Sequence, residues 1–230
     1  TSDGEWIGAW GTQGDADGEV DQPAGIAFDS EDNLYVVDTG NNRIQKFTKD
    51  GQFLAKWGQQ GSGDGEFDMP WGIGLDAENN VYIADWRNDR IQKFSPDGSF
   101  LMKFGESGAE DGQFNRPADV AVDKEGLIYV ADWRNDRVQV FDAEGRFITE
   151  IIGDATLSKW GITKLDANPD MKMQRDIAQG LEREKFLRGP MGVVVDDQDQ
   201  VFIVDSQRNR IQIYRKIPPF FVGLYDGGRL

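Results

Sequence analysis

Residues 70–104 read PWGIGLDAENNVYIADWRNDRIQKFSPDGSFLMKF, and this stretch decides the fold. Gly72-Ile73-Gly74-Leu75 is a short apolar run closed by Asp76. A polar turn, Ala77-Glu78-Asn79-Asn80, leads to a second apolar run, Val81-Tyr82-Ile83-Ala84, closed by Asp85. Runs this short and this apolar predict strands covered on both faces. Arg90 to Phe94 and Ser99 to Phe104 are more polar strands. Between them, Ser95-Pro96-Asp97-Gly98 is a hairpin turn whose Asp-Gly pair supplies the positive-φ position. The predicted unit is a four-stranded meander with buried inner strands and wetter outer ones.

Outward from this stretch the same pattern recurs. The opening prolines are Pro23, Pro70, Pro117 and Pro190, and the closing aspartates are Asp38, Asp85, Asp132 and Asp205. Both sets are spaced 47, 47 and 73 residues apart. A fixed period of this size in short strands predicts an all-β chain, a β-propeller with one four-stranded antiparallel blade per repeat. The whole chain, 1–230, reads as a single propeller domain with blades at about 12–58, 59–105, 106–152 and 186–225. Residues 3–11 match the outer strand at 50–58 and have no blade of their own. Two arrangements follow. Either this strand completes the last blade and closes a ring of four, or the chain is part of a larger ring with open edges that invite a partner.

The last interval holds 26 residues beyond one period, and they fall in an insertion at about 153–186. Asn168-Pro169-Asp170 predicts a helix start, with a cap, a proline at the first position and an acid in the first turn. The helix is expected to continue from Met171 to Phe186, with Met173, Ile177 and Leu181 as an apolar stripe for docking.

The segments Pro-x-Gly-Ile/Val-x-x-Asp, Val/Ile-x-Asp-x-x-Asn-x-Arg-Ile/Val-Gln and Asp-Gly-x-Phe resemble NHL repeats. The resemblance covers nearly all of the chain outside the insertion. It implies a propeller of about six blades, which favours the larger ring. It also implies a choice among protein-binding and RNA-binding modules, sensor domains and the lyase that acts on peptidyl-hydroxyglycine. The RNA binders use basic surfaces, and the lyase uses histidine-bound zinc.

Composition narrows these choices. The chain has 25 Lys and Arg against 41 Asp and Glu, a net charge of −16. Such a surface repels phosphate backbones and anionic membranes, so neither nucleic acid nor membrane is an expected partner. No histidine is present, which removes His-based triads and His-ligated zinc. No cysteine is present, so disulfides and thiol chemistry are absent. No apolar stretch is long enough to span a bilayer. The expectation is a soluble protein, either cytoplasmic or exported with a signal removed. A metal, if held, would be a hard cation on oxygen ligands, and calcium is the one cofactor considered.

Propeller geometry gives each repeat position an address. The first strand lines the channel. The Pro-x-Gly start, the loop after the second strand and the insertion share the top face. The recurring Asp38, Asp85, Asp132 and Asp205 sit five residues before Arg43, Arg90, Arg137 and Arg210. Recurrence in every blade marks them as bracing pairs rather than a catalytic ring. Positions that vary are better functional candidates. After each proline come Ala24, Trp71, Ala118 and Met191, an apolar ring. The next position is Gly25, Gly72, Asp119 and Gly192, where Asp119 is a lone carboxylate that either holds a cation with backbone carbonyls or caps a loop. The loop after the second strand is Thr39-Gly40, Trp86-Arg87, Trp133-Arg134 and Ser206-Gln207. Trp and Arg are the residues enriched where binding energy concentrates.

The expected function is therefore a non-enzymatic scaffold. It would bind a protein or small-molecule ligand through Trp71, Trp86, Arg87, Trp133 and Arg134, with the insertion as a rim. The alternative is a metal-dependent hydrolase or lyase of the lactonase type around Asp119. Self-association through open blade edges, giving a homo-oligomer, is a third expectation.

Overall fold

The polar residues of the repeat converge on one buried aspartate per blade. Asp85 is fully buried, and its carboxylate accepts hydrogen bonds from the Asp68 backbone N–H (2.9 Å), Asn88 Nδ2 (2.9 Å), Arg90 Nε (2.8 Å) and Gln92 Nε2 (3.2 Å). The Arg90 guanidinium also donates to the carbonyls of Ser62, Gly63 and Glu66 in the connector. Gln92 bridges the same connector, donating to the Glu66 carbonyl and accepting from the Gly65 N–H. The arrangement repeats around Asp38, Asp132 and Asp205, whose Arg Nε distances are 2.7, 3.0 and 2.7 Å. Burial pushes the carboxyls of Asp85 and Asp132 upward, against the donors that hold the ionised form. The motif is a hub that fastens each Gly-rich connector onto the blade it enters.

The computed structural model describes residues 8–155, 159–177 and 181–216. The first blade is β1 (Pro23–Phe28), β2 (Leu34–Asp38), β3 (Arg43–Phe47) and β4 (Phe53–Trp57). The second is β5 (Pro70–Leu75), β6 (Val81–Asp85), β7 (Arg90–Phe94) and β8 (Phe100–Phe104). The third is β9 (Pro117–Val122), β10 (Ile128–Asp132), β11 (Arg137–Phe141) and β12 (Phe147–Ile151). The fourth, as described, is β13 (Pro190–Val195), β14 (Gln200–Asp205) and β15 (Arg210–Arg215). Each is an antiparallel meander in chain order. The propeller prediction holds. The predicted remainder of the fourth blade, 217–225, and residues 3–7 of the predicted N-terminal strand lie outside the described residues.

The apolar core lies between blades rather than within them. Tyr35, Val37 and Ile44 of the first blade meet Ile73, Val81, Ile83 and Phe94 of the second. Tyr82, Ala84 and Ile91 meet Val120, Ile128, Val130 and Phe141 in the same way, and Tyr129, Ala131 and Val138 meet Val193, Val201 and Ile203. Each fully buried Ile or Phe contributes about 1.5–3 kcal/mol of transfer free energy, so every blade depends on its neighbours. β1 packs on β5, β5 on β9 and β9 on β13 around an open cavity of ≈ 400 Å³. Among the described residues, Ile26 on the first blade and Ile211 on the fourth are 63% and 61% exposed.

A second clamp closes the bottom of each of the first three blades. Asp29 accepts from the backbone N–H groups of Glu31 and Asn33 and pairs with Lys46 on β3 at 3.0 Å. Burial would raise its carboxyl, but the Asn33 and Lys46 contacts outweigh that and hold it at about 2. Asp76 pairs with Lys93 in the same way at 3.1 Å. In the third blade Val140 occupies the lysine position, and Asp123 pairs instead with Lys216, which follows β15 in the fourth blade, at 2.9 Å.

The insertion holds two helices, α1 (Lys159–Asp166) and α2 (Pro169–Ile177), and a 3-10 turn at Leu181–Glu184. Asn168 caps α2 as predicted, its Oδ1 accepting from the Met171 N–H at 3.3 Å. Of the single helix predicted from Met171 to Phe186, residues 171–177 lie in α2 and 181–184 form a 3-10 turn, while 178–180 lie outside the described residues. α1 was not foreseen, because Gly161, Ile162 and Thr163 are poor helix formers. Met173 and Ile177 are 59% and 69% exposed rather than docked, and the side chain of Leu181 lies outside those described. The Ala155 N–H to Lys185 carbonyl bond and the Leu187 N–H to Ile152 carbonyl bond tie off the base.

Replacing Asp85 with Ala strands a buried guanidinium and should cost about 3–5 kcal/mol. Replacing Lys103, whose pair with Asp64 is half-exposed at both ends, should cost under about 1 kcal/mol. Urea unfolding measures both; equal midpoints would show that the hubs do not carry the fold.

Candidate functional site

The loops after β6 and β10 are pinned by backbone bonds. The Arg87 N–H donates to the Asp68 carbonyl (3.0 Å), and the Arg134 N–H to the Asn115 carbonyl (3.1 Å). The side chains of both arginines are exposed, and Trp86 and Trp133 are partly buried. The Trp71 and Trp86 ring centroids are 5.9 Å apart, and those of Trp86 and Trp133 6.0 Å. Arg116 lies over Trp86 at 5.0 Å, Arg87 over the same ring at 6.0 Å, and Arg134 over Trp133 at 5.2 Å. Aromatic and cation–π contacts at these distances are each worth about 0.5–1.5 kcal/mol. The result is a ladder of three indoles and three guanidiniums across the second and third blades. Beside Trp71, an open pocket of ≈ 370 Å³ is lined by Gln22, Pro23, Ala24, Thr39 and Met69.

All five residues expected on the top face, Trp71, Trp86, Arg87, Trp133 and Arg134, belong to this ladder. Arg116 was missed. It precedes Pro117 with a left-handed backbone, φ 60°, in the series Gln22, Met69, Arg116 and Gly189. Being the only charged member of that series was the available signal. At the first and fourth blades the loop position carries a hydroxyl instead. Thr39 Oγ1 donates to the Pro70 carbonyl (2.7 Å) and Ser206 Oγ to the Gly189 carbonyl (2.5 Å). All four loops are pinned by the same backbone bond, from the N–H of Gly40, Arg87, Arg134 and Gln207, so the tryptophans go beyond what bracing needs.

Asp119 stands apart, on β9 in the channel wall. Its Oδ2 accepts from the Val193 N–H at 3.0 Å, a link from the third inner strand to the fourth. Burial pushes its carboxyl up to about 7, opposed by the Val193 and Val120 N–H groups. Among the described residues no group of three or more carboxylates converges on a common point. Asp17 and Asp64, in the Gly-rich connectors, pair with Lys56 and Lys103.

Residues 21–47, 67–94, 114–141 and 187–214 match the NHL repeat model. The chain belongs to the NHL-repeat β-propellers. No curated protein sequence matches it. Among solved structures, the propeller is similar to a structural genomics protein of unknown function from Bacteroides thetaiotaomicron, with 19% identity and a TM-score of 0.58 over 84% of this chain and 47% of the other. It is similar to virginiamycin B lyase from Staphylococcus aureus at 13% identity and a TM-score of 0.51, over 85% of this chain and 56% of that one. It also resembles Kuenenia stuttgartiensis hydrazine synthase, at 12% identity and a TM-score of 0.52 over 87% and 45%. At these identities the likeness is one of fold. This NHL chain spans about half the length of the structures it matches. None of its described helices is long and apolar enough to cross a membrane.

The elevated Asp119 gives a pH signature. With the folded value near 7 and the ordinary value at 3.8, the fold binds this proton more tightly than the unfolded chain does. Its contribution is complete below about pH 4 and lost as pH rises through 7. Asp119→Asn should therefore flatten stability against pH across this window. Parallel curves for parent and variant, by thermal melting at pH 4 to 8, would refute the assignment.

Proposed function

We propose that this NHL propeller is a non-catalytic recognition module, with the Trp71–Trp86–Trp133 ladder and its guanidiniums as the binding face. One observation carries the reading. Where the first and fourth blades carry a hydroxyl residue in a loop already pinned by its backbone, the two blades between them carry Trp-Arg, stacked into a continuous surface. In a chain with net charge −16, Arg87, Arg116 and Arg134 gather on that surface. Of these, Arg87 has an acid partner in Asp68, at 3.8 Å. Indole faces take apolar and aromatic groups, and guanidiniums take carboxylates. The matching ligand is an acidic segment that also carries aromatic or apolar side chains.

A second reading, a hydrolase or lyase of the lactonase type, rests on Asp119 at the channel. One carboxylate with backbone carbonyls makes a weak calcium site at best. Calorimetric titration with calcium decides between the two. Micromolar binding abolished by Asp119→Ala, together with lactone turnover, would favour the enzyme.

The ladder reading is tested with an array of peptides that alternate Glu with Tyr or Phe. Trp86→Ala and Trp133→Ala should each weaken retained peptides by about 2 kcal/mol or more. If both tryptophans are struts, their loss should instead cost about 3–5 kcal/mol of stability and leave binding unchanged, which would sink the proposal.

A further inference from the structure

The three interfaces between blades are copies of one another. Each joins a trailing face, built on the Tyr82, Ala84 and Ile91 pattern, to a leading face, built on the Ile73, Val81 and Ile83 pattern. Among the described residues, the first and fourth blades each carry one such face with no blade packed against it. On the fourth blade Val204 and Ile211 hold the places of Ala84 and Ile91 and are 44% and 61% exposed; Val194 and Ile213 beside them are 60% and 58% exposed. On the first blade Ile26 and Phe28 hold the places of Ile73 and Leu75 and are 63% and 57% exposed. Their counterparts Ile73, Ala84 and Ile91 are at most 8% exposed.

Polar groups at the rim repeat the pattern. Asn42 Oδ1 accepts from the Met69 N–H of the next blade at 2.8 Å, Asp89 Oδ1 from the Arg116 N–H at 2.7 Å and Asp136 Oδ1 from the Gly189 N–H at 2.7 Å. Asn209 holds this place on the fourth blade, with the same left-handed backbone (φ 51°). The matching donor on the first blade is the N–H of Gln22, whose φ of 47° resembles the 55° of Met69 and 60° of Arg116. The first blade is also already dressed for a preceding one. Trp10 lies against Gly51 and stacks on Phe47 at 4.7 Å, as Trp57 lies against Gly98 and meets Phe94 at 5.9 Å.

We propose that the trailing face of the fourth blade receives the leading face of the first blade of a second copy of this chain. The joint is a fourth instance of the interface the chain already builds three times. It is heterologous, so two copies close it by meeting at both ends. Both faces are apolar, and the rim supplies an acceptor opposite a donor.

Sedimentation velocity on the chain at about 1–100 μM, a range that resolves micromolar association, reads the outcome. The expected species has twice the mass of one chain. Ile211→Glu and Ile26→Glu alter exposed positions on opposite faces. Each should raise the dissociation constant at least about 30-fold, the loss typical of a central contact. Mixing the two variants leaves one sound joint per pair and should restore part of the dimer. Far-UV circular dichroism checks that both variants stay folded. A parent that is monomeric at 100 μM overturns the proposal, whether its faces are covered by residues 217–230 or by nothing. A dimer that tolerates either substitution alone also overturns it, since that association would be face to like face.

Discussion

A carboxylate with no access to water, surrounded by donors, is the constraint on which the rest depends. Each of Asp38, Asp85, Asp132 and Asp205 is buried at 0% exposure. A charge there is tolerable only when its lone pairs are filled, and here they are filled from the loop, the third strand and the incoming connector at once. This explains why Asp, Arg and Gln recur together. Remove one and the others are left as buried groups without partners. The fourth blade shows the tolerance of the scheme. Its connector is replaced by the insertion, and the Asn of the other hubs gives way to Arg208, which donates to the Arg183 carbonyl in the insertion.

Much of this was legible in the sequence because the hub and the inter-blade slabs obey periodic rules. Four aspartates on one period, apolar runs too short for helices and an Asp-Gly hairpin led directly to blades. The bracing role of Asp38 and its counterparts followed from recurrence. What escaped was aperiodic. α1 was hidden by Gly161 and two β-branched residues, and the extent of α2 by a continuous polar-apolar run beyond Ile177. The reach of Lys216 across to Asp123 had no counterpart in the other repeats to suggest it.

The site was legible to the same degree and for the opposite reason. Bracing positions announce themselves by sameness, whereas the ladder announces itself by departure: Trp71 in a series of Ala, Ala and Met, Trp86 and Trp133 among hydroxyls, Arg116 in a series without another charge. Reading departures at the loop after the second strand found four members, and the position after each proline gave Trp71. Reading them one residue before each proline would have found the sixth. What no sequence pattern gave was the stacking order, because it depends on how neighbouring blades are rotated about the channel.

The borrowed lysine changes what counts as a unit in this molecule. The first two blades each carry the cation for their own lower clamp, Lys46 and Lys93. The third takes its cation from beyond β15, on the blade that follows. During synthesis the first two blades can therefore finish their clamps as soon as their third strands emerge, while Asp123 waits until nearly a hundred further residues have left the ribosome. Blades of the first two kinds are modular and suited to duplication or exchange. The third and fourth are wedded by this contact, so recombination between them separates an acid from its counter-ion.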